Sequence, residues 1–164
     1  MGTIGSSGSS GSFSHLDADG RAQMVDVSGK PVTRREAEAS CRIVLSPQTV
    51  IRLANLPKGD ALAVARLAGI QGAKRTAELV PLAHALPIDQ VEVDVQPVAE
   101  GVLVRSKVVV NARTGAEMEA LMACATAALA LYDMVKSVER EAVVTDLRLE
   151  SKSGGQGGTY RRGG

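Results

Sequence analysis

VEVDVQPVAEGVLVRSKVVVNARTGAEMEALMACATAALALYDMVKS, residues 91–137, carries two different periods in one run. Val91-Glu92-Val93-Asp94-Val95 alternates apolar and polar side chains, the period of a strand with one buried face, and Val102 to Val110 resumes a strand after the turn around Gly101. The two segments read as a hairpin. From Gly115 to about Ser137 the pattern changes to an alanine-rich helix that is apolar almost all round, as in an element buried on most sides. A hairpin that feeds such a helix predicts a sheet with a helix laid across it.

The flanking sequence extends this plan. Upstream, Glu36 to Leu45 alternates as another half-buried strand. Ser46 followed by Pro47 marks a helix start, because the serine oxygen caps free amides and proline loses no hydrogen bond at the first helical position. That helix should run to about Asn55, where Leu56-Pro57-Lys58-Gly59 breaks it. Asp60 then caps a second helix through Ala61, Val64, Leu67, Ala68 and Ala73, whose Gly69 and Gly72 imply close packing. Pro81 to Pro87 is a loop, and Ala142 to Glu150 is a final strand. The order of elements predicts an α+β sandwich with helices on one face of a mostly antiparallel sheet.

Composition narrows the function classes. Residues 1–12 are nearly all Gly and Ser and read as an appended linker, residues 13–151 as one α+β domain, and residues 152–164 as a Gly-rich basic tail, flexible unless a ligand or partner orders it. With 19 basic and 18 acidic side chains the net charge is +1, so no global field draws the chain to nucleic acid or an anionic membrane. Phe13, Tyr132 and Tyr160 are the only aromatic residues, too few for bases to stack on. Cys41 and Cys124 are far apart, in apolar surroundings and without a CxxC partner, which predicts buried thiols and a reducing compartment. With only His15 and His84, no histidine-rich metal site is expected. The long apolar segment is interrupted by Glu117, Glu119, Asp133 and Lys136, so no membrane span is expected. The chain has no GxxxxGK[ST], GxSxG or GxGxxG pattern, leaving P-loop, serine hydrolase and dinucleotide readings unsupported.

The chemistry-bearing residues concentrate on the long helix. Glu119, Thr126 and Asp133 are spaced seven apart, with Lys136 three beyond, which places them on neighbouring parts of one face. On an apolar helix such charges need a partner, since burying them unpaired is costly. One reading is an Asp133–Lys136 ion pair that fixes the helix; the other is a lysine held near its partly deprotonated range beside a carboxylate, suited to proton transfer. At 1.5 Å per residue Glu119 and Asp133 lie about 21 Å apart along the axis. One helix therefore serves two places, through a long ligand or through neighbouring subunits that bring opposite helix ends together. His84 sits between prolines that direct its ring, or is a loop histidine bonded to a carbonyl. Lys58 stands at a helix start where free amides favour an anion, or is an exposed loop lysine. Lys152-Ser153-Gly154-Gly155 reads as a phosphate nest or as plain tail.

In order along the chain stand Met24-Val25-Asp26-Val27, Lys58-Gly59-Asp60, Ala65-Arg66-Leu67-Ala68-Gly69-Ile70, Ala73-Lys74-Arg75-Thr76, Pro81-Leu82-Ala83-His84, Thr114-Gly115-Ala116-Glu117-Met118-Glu119-Ala120-Leu121, Tyr132-Asp133-Met134 and Lys152-Ser153-Gly154-Gly155. These blocks, from about His15 to Arg161, resemble the molybdenum cofactor biosynthesis protein C family. The resemblance implies a ferredoxin-like α+β subunit in a homohexamer, a trimer of dimers with sites at subunit contacts, in the cytoplasm. It implies a nucleotide triphosphate substrate, a cyclised dihydro-GTP, rearranged to a pyranopterin carrying a cyclic phosphate with release of pyrophosphate, and no organic cofactor or metal. It implies Asp133 as the catalytic carboxylate, Lys58 and Lys136 as acid and base, and substrate contacts from Leu82, Ala83, His84, Glu117, Met118, Glu119 and Lys152. Positive charge for the departing pyrophosphate would come from Lys58, Lys152, Arg66 or Lys74. The chain departs from the family pattern at Ala83, Ala85 and Val135, which stand where cysteine, proline and cysteine are usual. A non-catalytic nucleotide- or partner-binding paralogue on the same scaffold is the competing reading, and the altered His84 loop is its support.

Overall fold

The computed structural model describes residues 19–163, so the linker read in residues 1–12 and the domain start at residue 13 lie outside the described residues. Strand β1 (Thr33–Val44) is followed by α1 (Pro47–Arg52), a 3-10 turn (Leu53–Asn55), α2 (Ala61–Lys74) and the short α3 (Thr76–Leu79). The hairpin β2 (Ile88–Val98) and β3 (Gly101–Ala112) leads to α4 (Glu117–Val135), β4 (Val143–Ser153) and β5 (Tyr160–Arg161). All strand pairs are antiparallel and the sheet order is β2-β3-β1-β4-β5. Its first four strands have the ferredoxin-like arrangement, in which two strand–helix–strand halves interleave.

Local chemistry explains the boundaries. The Ser46 side chain accepts from the Thr49 amide at the start of α1, and the Asp60 carboxylate accepts from the amides of Leu62 and Ala63 at the start of α2. The hairpin strands extend well past the alternating core at residues 91–95, because ladder pairing with β1 carries Val109, Asn111 and Ala112 into the sheet. Lys152 and Ser153, expected to open a flexible tail, are the last residues of β4 and pair with Ala37 and Glu36. Tyr160 and Arg161 then return to pair with Lys152 and Ser151. Composition missed this because the turn between them rests on glycines: Gly154 and Gly155 have φ of 92° and 71°, where a side chain is strained.

The helices cover one face of the sheet. Ala37, Ala39, Cys41 and Ile43 of β1 and Val102, Val104, Val108 and Val110 of β3 point at them and are fully buried. The buried side of α4 is almost all alanine (Ala120, Ala123, Ala127, Ala128) with Cys124 and Leu131, so the helix lies close to the strands. Alpha-carbon-only residues let α2 approach α4 equally closely: a Cβ on Gly72 would collide with Thr126, and one on Gly69 would stand 2.9 Å from the Ala123 carbonyl oxygen. Both cysteines are free and buried, with Cys41 Sγ donating to the Cys124 carbonyl at 3.4 Å.

Helix α4 is long and apolar enough, by length and composition, to cross a membrane, contrary to the expectation from its interrupting charges. Its apolar character has another use, since one side packs on β1, β3 and β4. Nor is it buried on most sides. Leu129 is 62% exposed and Met118 40%, so an apolar side of the helix faces outward.

Candidate active site

Lys58, Asp133 and Lys136 meet at the C-terminal end of α4. Lys58 Nζ donates to the backbone carbonyl of Asp133 at 2.8 Å and to its Oδ2 at 3.2 Å, while Lys136 Nζ lies 2.6 Å from Oδ1. Lys136 is held there by the helix spacing of three residues. Lys58 is delivered by the tight turn Leu56–Gly59, closed by a 2.9 Å bond from the Gly59 amide to the Leu56 carbonyl. The expectation of free helix-start amides beside Lys58 is corrected: Asp60 occupies those of Leu62 and Ala63, and Lys58 reaches instead for the last carbonyls of α4, where a cation is favoured.

Two further expectations about this cluster fail within one chain. The charges are not buried in a greasy helix, since the side chains of Lys58, Asp133 and Lys136 are 42%, 57% and 50% exposed. Nor is Lys136 near a partly deprotonated range. Its hydrogen bond and ion pair with Asp133 push its pKa up, and hydrogen bonds from Lys136 and then Lys58 hold the Asp133 carboxyl below the usual range. The cluster is a fixed anion between two ammonium groups. For Lys136 to accept a proton, a ligand must first displace Asp133 from it.

A separate cavity of about 420 Å³ opens at the N-terminal end of α4. Its walls include Ala83, His84, Glu117, Met118, Glu119 and Lys152, together with Lys30, Arg35 and Arg113. Leu82 is not on that wall, and Leu86 takes its place. His84 Nε2 lies 3.0 Å from the Val25 carbonyl, which only accepts, so Nε2 carries the proton and Nδ1 is the ring's free nitrogen. Arg35 donates through Nε to the Ala112 carbonyl at 3.0 Å and through Nη2 to the Arg113 carbonyl at 2.9 Å. Arg113 in turn donates to the Lys30 carbonyl at 3.0 Å. These bonds pin a basic rim onto the ends of β1 and β3. Lys152, projecting from β4, is paired with Glu117 at 2.7 Å.

Glu119 is the unusual member of this cavity. It is 3% exposed, and burial pushes its carboxyl up to about 7, against the pull of its own backbone amide and with added repulsion from Glu117. Among the described residues no three His, Cys, Asp or Glu side chains converge to hold a metal ion. Of the cations considered for a departing pyrophosphate, Lys152 lies in this cavity, whereas Arg66 donates to the Val93 carbonyl and neither it nor Lys74 lines the wall. The sequence reading missed Lys30, Arg35 and Arg113, and the Asp-Val-Ser-Gly-Lys segment, residues 26–30, was the available signal for the first. A larger hollow, about 550 Å³, lies elsewhere, on the helix-free sheet face. It holds none of the expected residues, and its Glu150 is already paired with Ser40 and Arg148.

The fold and these two clusters define a ferredoxin-like α+β protein with a basic-rimmed cavity at one end of α4 and a lysine–aspartate–lysine cluster at the other. The MoaC family model matches residues 24–155, and the chain belongs to that family. It is 52% identical over 152 residues to a cyclic pyranopterin monophosphate synthase of Streptomyces griseus, covering 92% of this chain and 86% of the relative. It is 50% identical over 154 residues to the synthase of the same name from Thermomicrobium roseum, covering 92% and 93%. Identity to cyclic pyranopterin monophosphate synthase 3 of Mycobacterium tuberculosis is 48% over 155 residues, covering 93% and 88%.

Proposed function

We propose that this chain is a cyclic pyranopterin monophosphate synthase: a phosphorus–oxygen lyase that rearranges a cyclised dihydro-GTP into a pyranopterin with a cyclic phosphate and expels pyrophosphate, in molybdenum cofactor biosynthesis. The observation that carries the reading is the identity of about half the residues across nine-tenths of the chain with synthases of that name. The geometry supports it in two parts. Lys30, Arg35, Arg113 and Lys152 line a cavity of nucleotide size, with His84, Ala83, Glu117, Met118 and Glu119 beside them. Lys58, Asp133 and Lys136 form a cluster able to hold and transfer protons, as opening a purine five-membered ring and closing a pyrazine both require.

In the phosphate step a sugar-derived hydroxyl attacks the α-phosphorus, loses its proton, and the bond to the bridging oxygen breaks as pyrophosphate leaves. Cations of the rim stabilise the charge that gathers on the leaving group. Asp133 is the catalytic carboxylate, with Lys58 and Lys136 delivering and removing protons once the substrate has loosened their ion pairs. The reading needs no organic cofactor, and it places the chain in the cytoplasm as a homohexamer built as a trimer of dimers. Two free buried thiols accord with a reducing compartment.

Purified chain mixed with the cyclised dihydro-GTP should release one pyrophosphate per pyranopterin formed. Folded chain that releases none at millimolar substrate would establish the competing non-catalytic paralogue, which Ala83 and Ala85 in the His84 loop favour.

A further inference from the structure

The hydrogen bond that directs His84 comes from outside its own loop. The Val25 carbonyl that accepts from Nε2 at 3.0 Å stands 59 residues earlier, on a strap whose residues 23–27 lie in no helix or strand. Without ladder bonds the strap must draw its shape from its own turns. Two interlocked turns supply it. The Asp26 carboxylate accepts from the Ser28 amide at 2.8 Å, an Asx turn, and the Lys30 amide donates to the Val27 carbonyl at 3.0 Å. Val25 and Val27 are half-buried on the cavity wall, whereas Asp26 between them is exposed and lies off that wall. At the far end of the strap the Lys30 carbonyl accepts from Arg113 Nε at 3.0 Å. Asp26 is thus outside the cavity, yet it shapes the backbone that holds His84.

We propose that Asp26 is a positioning residue for His84: its Asx turn holds the Val25 carbonyl on Nε2, which fixes the ring in the Nε2–H tautomer and offers Nδ1 to the ligand as an acceptor. The proposal rests on the reading of this cavity as the substrate site. It adds the atom of His84 that meets substrate, the chemistry of that contact and the residue that sets it.

A carbonyl oxygen only accepts, so the nitrogen facing it carries the proton, and in the neutral ring the other nitrogen keeps a lone pair. A lone pair is repelled by phosphate oxygens and matches an N–H or O–H group. His84 is therefore assigned to the base or the sugar hydroxyls of the nucleotide, as the acceptor of a hydrogen bond or of a proton, and the phosphates fall to Lys30, Arg35, Arg113 and Lys152. Hydrogen bonds from the Ser28 amide, and then its hydroxyl, hold the Asp26 carboxyl below the usual range, so the group that closes the turn stays ionised at neutral pH. One hydrogen bond selects the tautomer without freezing the loop, where Ala85 leaves the backbone without a φ restraint.

His15 is the other histidine of the chain, so in a His15→Gln background the labelled ring is His84 alone. Solid-state nitrogen–carbon NMR of the sedimented full-length protein, isotope-labelled in histidine, should show a protonated Nε2 and a bare Nδ1 at pH 8, where a free imidazole is neutral. A protonated Nδ1, or the averaged pair of a freely exchanging ring, overturns the clamp. Asp26→Ala removes the acceptor at an exposed position outside the core. It should move both nitrogens toward averaged values and lower kcat about 10-fold, with KM within about 2-fold. Ser28→Pro deletes the donor of the same bond at a turn position that proline accepts, and should match it. Asp26→Asn keeps an acceptor oxygen and should restore the wild-type spectrum and kcat. Wild-type spectra in Asp26→Ala or Ser28→Pro, or Asp26→Asn behaving like Asp26→Ala, overturn the role of Asp26. A rise in KM alone means that the strap serves Lys30 and overturns the assignment to His84. If the wild-type chain releases no pyrophosphate the proposed function fails, and the spectra still decide the clamp.

Discussion

Glu119 and Asp133 are carboxylates on the same helix, fourteen residues apart, and the structure pushes them in opposite directions. Glu119 is 3% exposed on the cavity wall, and the hydration it loses there pushes its carboxyl up to about 7. Asp133 stays in water between two ammonium groups and ionises more readily than a free side chain. Proton affinity here follows local solvation and neighbours rather than position in a repeat. The chemical consequence is a division of labour. At neutral pH the N-terminal end of α4 is able to carry an extra proton on a carboxyl, and the C-terminal end keeps an anion between two ammonium groups.

Experiments at each end test that division. The largest effect should come from Asp133→Asn, which removes the anion: turnover should fall at least ~100-fold while thermal stability moves little, because the pairs are exposed. Wild-type turnover in this variant, read by pyrophosphate release, would remove Asp133 from the chemistry. Glu119→Gln should act on stability. A carboxyl whose folded pKa is raised from 4.5 to about 7 gives the folded state stability that is fully present below pH 4.5 and is lost as pH rises to about 7. The wild-type chain should therefore lose up to about 3 kcal/mol across that window, and the glutamine variant should lose less. Unfolding by denaturant at pH 5 and pH 8 measures both, and equal pH dependence would mean that Glu119 is hydrated.

Lys152→Met should raise KM about 10-fold with a smaller change in kcat, as expected for a binding cation at the cavity end. A pure kcat loss would move Lys152 into the chemistry and blur the contrast between the two ends. The smallest effect should follow Ala85→Pro, which restrains the loop carrying His84; KM should fall by about 2-fold through lost loop freedom. An unchanged KM would mean that the Val25 carbonyl already holds the ring.

Much of the fold was legible because hydrophobic period tracks burial. The alternation at residues 91–95 marked β2, Ser46-Pro47 and Asp60 marked two helix starts, and the alanine-rich run marked α4. Helix α3, only four residues long, and β5, only two, have too few residues to show a period. The candidate site was legible unevenly. Lys58, His84, Glu119, Asp133 and Lys152 stand out as polar residues in family-like blocks and Lys136 by its spacing of three from Asp133, whereas Arg35 and Arg113 lie in a strand and a turn with nothing local to distinguish them from surface charges.

The chain by itself determined the order of the longer strands and helices, the burial of both cysteines, and the fourteen-residue interval that keeps Glu119 and Asp133 apart on one helix, since each depends on period and spacing. Tertiary structure alone decided which cations gather around His84, that Lys58 joins Asp133 from 75 residues away, and that Lys136 is held charged rather than poised to deprotonate. The reason is that solvation and ion pairing are set by atoms distant in sequence, and only folding brings those atoms within reach of one another.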